Sequence, residues 1–149
     1  MKRQIACLLI SSLLLSCADQ STQSPPEETT IATTTQACYS YLANRDTVLL
    51  EMIISGTLVR GTLTYQLFEK DTNKGSVRGT LHGDTIFADY RFASEGIAST
   101  REIVFLKKES TLIEGYGEME EKNGKMIFRN RQEITFGKGV VLKMTECNK

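Results

Sequence analysis

Thr85-Ile86-Phe87-Ala88-Asp89-Tyr90-Arg91-Phe92 is the stretch from which the fold is read. Ile86, Ala88, Tyr90 and Phe92 fall on one face of an extended chain, and Asp89 and Arg91 fall on the other. This two-residue period is that of a strand with one buried face. Val59, Gly61, Leu63, Tyr65 and Leu67 alternate with Arg60, Thr62, Thr64 and Gln66 in the same way. No segment longer than a turn shows a helical period.

Outward from these strands, turn signals recur at short intervals. They are Ser55-Gly56, Asp71 to Gly75, Gly83-Asp84, Ser94-Glu95-Gly96, Lys108-Glu109, Asn123-Gly124 and Gly137-Lys138-Gly139. Asn123-Gly124 is the strongest, because both residues tolerate the positive φ of a type I′ hairpin. The runs between the turns predict about eight strands, at 46–54, 57–69, 76–82, 85–92, 100–107, 111–120, 125–136 and 140–146. An antiparallel meander with an even number of strands returns its ends to one side, where the last strand can pair with the first and remove both edges. The expected fold is therefore all-β, a small up-and-down barrel in preference to a two-sheet sandwich. Val59-Arg60-Gly61-Thr62-Leu63 recurs as Val77-Arg78-Gly79-Thr80-Leu81. Two copies are too few for a repeat architecture, and Gly61 and Gly79 read as points where strands coil to close the sheet.

Upstream the chain is different in kind. Lys2 and Arg3 precede an apolar run, Ile5 to Leu15, of about half the length a membrane-spanning helix requires. Leu14-Leu15-Ser16-Cys17 closes that run and resembles the bacterial lipoprotein signal family over residues 1–17. The resemblance implies cleavage after residue 16 and acylation of Cys17 with chains of the palmitate type, enough to anchor a domain to a membrane. Ala18, rather than an aspartate, follows the cysteine, which by the same resemblance implies the outer membrane and leaves the face of that membrane open. Residues 17–36 are rich in Ser, Thr, Gln and Glu and hold both prolines, Pro25 and Pro26. They bury too little apolar surface to offset ordering and read as a tether. Residues 37–149 are the expected folded domain.

Of four cysteines, the same resemblance implies that Cys7 leaves with the signal and that Cys17 carries the lipid. Cys38 and Cys147 are left at the two ends of the domain in an oxidising envelope, where a disulfide is expected. Two free thiols or a metal pair are the alternatives, and no Cys/His spacing supports zinc. The whole chain carries 18 basic and 18 acidic side chains. Removal of residues 1–16 takes two bases and no acid. A near-neutral chain with scattered bases has no electrostatic reason to seek nucleic acid. A monomer is expected, with an unidentified small ligand or envelope protein as its partner.

Catalytic patterns are sparse. The single histidine, His82, lies near Asp84 in what reads as a strand end and hairpin turn, and no GxSxG elbow accompanies a Ser–His–Asp set. No cofactor or metal is expected. The densest polar constellation is Asp89, Arg91, Ser94, Glu95, Ser99, Arg101 and Glu102. It reads as a cross-strand charge ladder. Alternatively, Asp89, Arg91, Glu95 and Arg101 line a barrel mouth, with Tyr116 and Glu118, and Tyr65 with Glu69, beside them. An enzyme would require Asp89, Glu95 and Arg101 to be buried together.

The runs Gly79 to Thr85, Ala88 to Gly96, Arg101 to Leu106 and Glu114 to Gly117 resemble small lipoproteins of Gram-negative bacteria, over most of residues 38–120. That resemblance implies no activity and no functional residues. The chain is also loosely similar to envelope lysozyme inhibitors, small disulfide-closed, calycin-like barrels on lipoprotein signals. It has no tryptophan and no stretch matching their inhibitory loop, so this similarity concerns fold alone. The function expected is a non-enzymatic binding or accessory module. The alternative is an inhibitor-like interaction module in which a loop such as 93–99 enters a partner.

Overall fold

The computed structural model describes residues 33–94 and 96–147. Ten strands run in chain order: β1 (Thr34–Ala43), β2 (Asp46–Ser55), β3 (Leu58–Gln66), β4 (Asn73–His82), β5 (Thr85–Ser94), β6 (Ile97–Lys108), β7 (Thr111–Tyr116), β8 (Met119–Lys122), β9 (Lys125–Phe128) and β10 (Thr135–Thr145). Eight of them close into an antiparallel barrel. β1 to β7 pair in sequence, β7 pairs with β10, and β10 returns to β1 through Cys38↔Thr145, Tyr39↔Met144 and Ser40↔Lys143. Closure leaves none of these eight strands as an edge, and the sandwich alternative is set aside.

The closing strand β1 is absent from the eight predicted runs, and the folded domain begins at Thr34, not at 37. Thr34-Thr35-Gln36 are polar and exposed, so composition assigned them to the tether. Pairing with Ser55, Ile54 and Ile53 of β2 draws them into the sheet. The predicted runs 125–136 and 140–146 divide differently as well. Gly137 to Gly139 is no turn between strands; it bulges β10 between Phe136 and Val141 while β7 advances only from Gly115 to Ile113.

The alternation of β3 and β5 is realised. Val59, Leu63, Tyr65, Ile86, Ala88 and Tyr90 are buried in one core with Val48, Leu50 and Met52 of β2, Ile103 and Phe105 of β6, Leu112 and Leu142. The two copies of the short repeat pair with each other in antiparallel register, Val59↔Gly79, Arg60↔Arg78 and Gly61↔Val77. Each glycine thus opposes a valine across the pair. A methyl group on Gly61 would strike the Glu51 carbonyl, and one on Gly79 the Phe87 carbonyl. Only glycine allows these neighbouring strands to coil so closely.

Between β7 and β10 the chain leaves the barrel. β8 and β9 form a hairpin turned at Asn123 (φ 55°) and Gly124 (φ 74°), the positive-φ pair expected there. β9 docks parallel on β6 at Arg101↔Met126. A short 3₁₀ turn, Arg131–Glu133, follows, capped by the Asn130 side chain accepting from Gln132 N. This clip covers the outer surface of β6, so Val104 and Glu102 are buried although they face away from the barrel. The disulfide Cys38–Cys147, with Cα atoms 5.2 Å apart, ties β1 to the chain just beyond β10.

Candidate binding site at the loop end of the barrel

The barrel has two unlike ends. The terminal end carries the start of β1, the end of β10 and the β2–β3, β4–β5 and β6–β7 turns. The loop end carries the β1–β2, β3–β4 and β5–β6 connections and the departure of the clip after Tyr116. The inward polar side chains collect near the loop end.

Glu114 is their centre. On β7 it follows the inward Leu112 by two residues and is 5 % exposed. Tyr65 donates its hydroxyl to Oε1 at 2.7 Å, and Tyr116 donates to Oε2 at 2.8 Å. Each carboxylate oxygen therefore has a donor, which offsets the cost of burying the group. Burial first, and then the Glu114 charge and hydrogen bond, push both tyrosine hydroxyls well above the usual phenol range. The bulge of β10 folds over Tyr116, whose hydroxyl oxygen accepts from Val140 N at 3.4 Å.

Arg101 lies beside this group. It is opposite Tyr90 on β5, and so it faces inward. Its guanidinium carbon is 5.2 Å from the Tyr65 ring centre, 5.7 Å from Tyr90 and 5.8 Å from Phe92. Such distances permit cation–π attraction. Tyr90 and Phe92 stack at 4.8 Å, and the Tyr90 hydroxyl donates to the Asn73 carbonyl at 2.9 Å. Burial raises the Tyr90 hydroxyl to about 12, against the nearby Arg101 charge. Arg101 Nε is buried with no hydrogen-bond partner among the described residues.

Arg101 and Tyr116 thus belong to one constellation, but Asp89 and Arg91 do not join it. The expected grouping of Arg101 with them is corrected by register: Asp89 opposes Glu102 and Arg91 opposes Thr100, on the outer face. Asp89 accepts from Lys125 of the clip. Glu118 pairs with Arg129 away from this constellation, and Glu69 lies exposed in the β3–β4 connection. His82 Nε2 is 3.0 Å from Thr80 Oγ1. Segment 93–99 is no extended loop, since Ala93↔Ala98 and Ser94↔Ile97 are paired positions of β5 and β6. Glu95, Cys17 and the remainder of 1–32 lie outside the described residues. Sequence reading missed Glu114. Its signal is the alternation Leu112, Glu114, Tyr116, an acid on an otherwise buried face.

A hollow of about 60 Å³ opens beside Arg101, Glu114 and Tyr116, where β6 and β7 part. Given about 30 Å³ per water in the liquid, it has room for about two, far below the several hundred Å³ of a small-molecule site. The rest of the interior is packed with side chains. Outside, each loop-end connection presents an apolar side chain: Leu42 (71 % exposed), Phe68, Ile97 (70 %) and Tyr116; Leu49, Ile53, Leu58, Met126 and Met144 are exposed elsewhere on the wall, the clip and the terminal end. Arg45 stacks on the Phe68 ring at 3.4 Å, and Asp46 accepts from the Phe68 amide at 2.7 Å, so that loop is held in place. No family model matches the chain, and no curated protein or solved structure is significantly similar to it.

Proposed function

We propose that this chain is a lipid-anchored, non-enzymatic binding module of the bacterial envelope that engages a protein partner through the loop end of its barrel. One observation carries the reading: the interior is filled with side chains, while each connection of the loop end carries an exposed apolar side chain, two of them, Leu42 and Ile97, the most exposed of the large apolar groups among the described residues. A filled barrel recognises by its surface, and exposed apolar side chains framed by polar ones are the usual material of protein contacts. The protonated tyrosines around Glu114 act in this reading as a rigid floor and carry no proton traffic near neutral pH.

The acylation implied by Leu14 to Cys17 would place the lipid 17 residues before Thr34, where β1 starts at the terminal end of the barrel.

Photo-crosslinking of the full chain in cells tests this. A benzophenone side chain at Phe68 or Ile97 should trap one saturable protein partner, and the same group at Leu58 on the terminal end should not. Equal trapping from both ends, or none from the loop end, overturns the proposal.

A further inference from the structure

The self-pairing of the short repeat places Arg60 of β3 directly opposite Arg78 of β4. Arg91 of β5 stands diagonal to Arg78, opposite Ser76. All three are exposed and on the outer face. Thr62, Ser76 and Thr80 occupy outward positions among them. The ion pairs among the described residues join Lys125 to Asp89, Arg131 to Glu102, and Arg129 to Glu118 and Glu120; none includes Arg60, Arg78 or Arg91. Asp89, the acid opposite Arg78, is taken by Lys125, and Glu102 by Arg131. Glu51 of the neighbouring β2 lies opposite Thr62 and diagonal to Arg60, and both border one surface groove.

Like charges directly opposite on a sheet destabilise it. Three guanidinium groups on adjacent strands of a closed sheet, with hydroxyl donors between them, form a field that an oxyanion would relieve. Next to them is a hollow of about 270 Å³ bordered by Arg78, Thr80, His82, Phe87 and Arg131 and also by Asp89 and Glu102, the two acids already paired with Lys125 and Arg131; the Arg131 guanidinium carbon is 4.6 Å from the Phe87 ring centre. We infer that the outer face of β3, β4 and β5 binds a phosphate ester, the phosphate on Arg60, Arg78 and Arg91 and the group it esterifies in the hollow beside Phe87. Arginine forks match phosphate oxygens two at a time, and hydroxyls add neutral donors. The site is on the barrel wall and stands independently of the partner proposed for the loop end.

The test uses the full chain in nonionic detergent, observed by NMR at the arginine Nε–H groups. Added inorganic phosphate should shift the Arg60, Arg78 and Arg91 signals saturably, whereas chloride at equal ionic strength should not. Arg60→Gln with Arg78→Gln should weaken phosphate binding at least tenfold with the far-ultraviolet circular dichroism unchanged, and Lys138→Gln should leave binding as it was. Equal responses to phosphate and chloride, or undiminished affinity in a folded double variant, overturn the site. Phosphatidic acid in the micelles then identifies the source: displacement of inorganic phosphate supports a lipid headgroup, and persistence of phosphate binding supports a free phosphate ester.

Discussion

Tyr65 of β3 and Tyr116 of β7 are joined through Glu114, one hydroxyl on each carboxylate oxygen. A buried carboxylate satisfied twice in this way couples strands that do not neighbour each other in the sheet. Removal of one donor leaves an oxygen buried without its partner. Tyr65→Phe is expected to cost about 1–3 kcal/mol, read by urea denaturation. Tyr116→Phe should cost less, because Tyr116 is 41 % exposed and water can replace its hydroxyl. Equal costs for the two would refute the inequality.

Alkali should unfold the barrel cooperatively. Tyr65, Tyr90 and Tyr116 all hold their protons more tightly in the folded state than the unfolded value of 10.0. Their contribution to stability is therefore complete below pH 10 and falls as pH rises above it, because the unfolded chain releases those protons first. For Tyr90 the loss runs from pH 10 to about 12. Phenolate absorbance should rise together with the loss of sheet signal. A phenolate titration completed while the sheet signal persists would contradict this.

The Cys38–Cys147 bridge closes a span of 109 residues, so its reduction releases a large loop. Cys38→Ser with Cys147→Ser should destabilise the barrel by about 2–5 kcal/mol. Denaturation of the oxidised chain and the double variant gives the difference directly.

The clip should be fastened by Glu102. This carboxylate accepts from Phe128 N at 3.1 Å and pairs with Arg131, buried beneath the clip on the outer face of β6. Glu102→Ala should speed hydrogen exchange at the Phe128 amide and along β8 and β9, with little change in β2 and β3. Uniform acceleration across the barrel would instead mark the clip as part of the global folding unit.

Cys17 gives the most direct test of the anchor. Cells fed labelled palmitate should incorporate it into the full chain and not into the Cys17→Ser variant. Labelling that survives the substitution would remove the anchor from the proposed function.

Residues 58–66 and 85–94 were legible because each has one apolar face and one polar face. β6 was not. Ile103 and Phe105 point into the barrel, yet Val104 and Glu102 on the other face are also buried, beneath the clip. With apolar residues on both sides the phase of the alternation is lost, and Arg101 was grouped with Asp89 when it belongs with Glu114. The polar start of β1 was hidden for a related reason, since Thr34 to Gln36 enter the sheet through backbone pairing with β2 and bury little side-chain surface.

The sequence by itself determined the all-β class, the inward faces of β3 and β5 and the Asn123-Gly124 hairpin; the pairing of Cys38 with Cys147 was an expectation that depended on reading Cys17 as lipidated. The first three follow from local alternation and turn chemistry, which act over a few residues. Tertiary structure decided which strand closes the barrel, which face of β6 carries Arg101, and that the two copies of the repeat set Arg60 against Arg78. Each of those depends on register between segments distant in the chain, and register is set by the packing of a whole core.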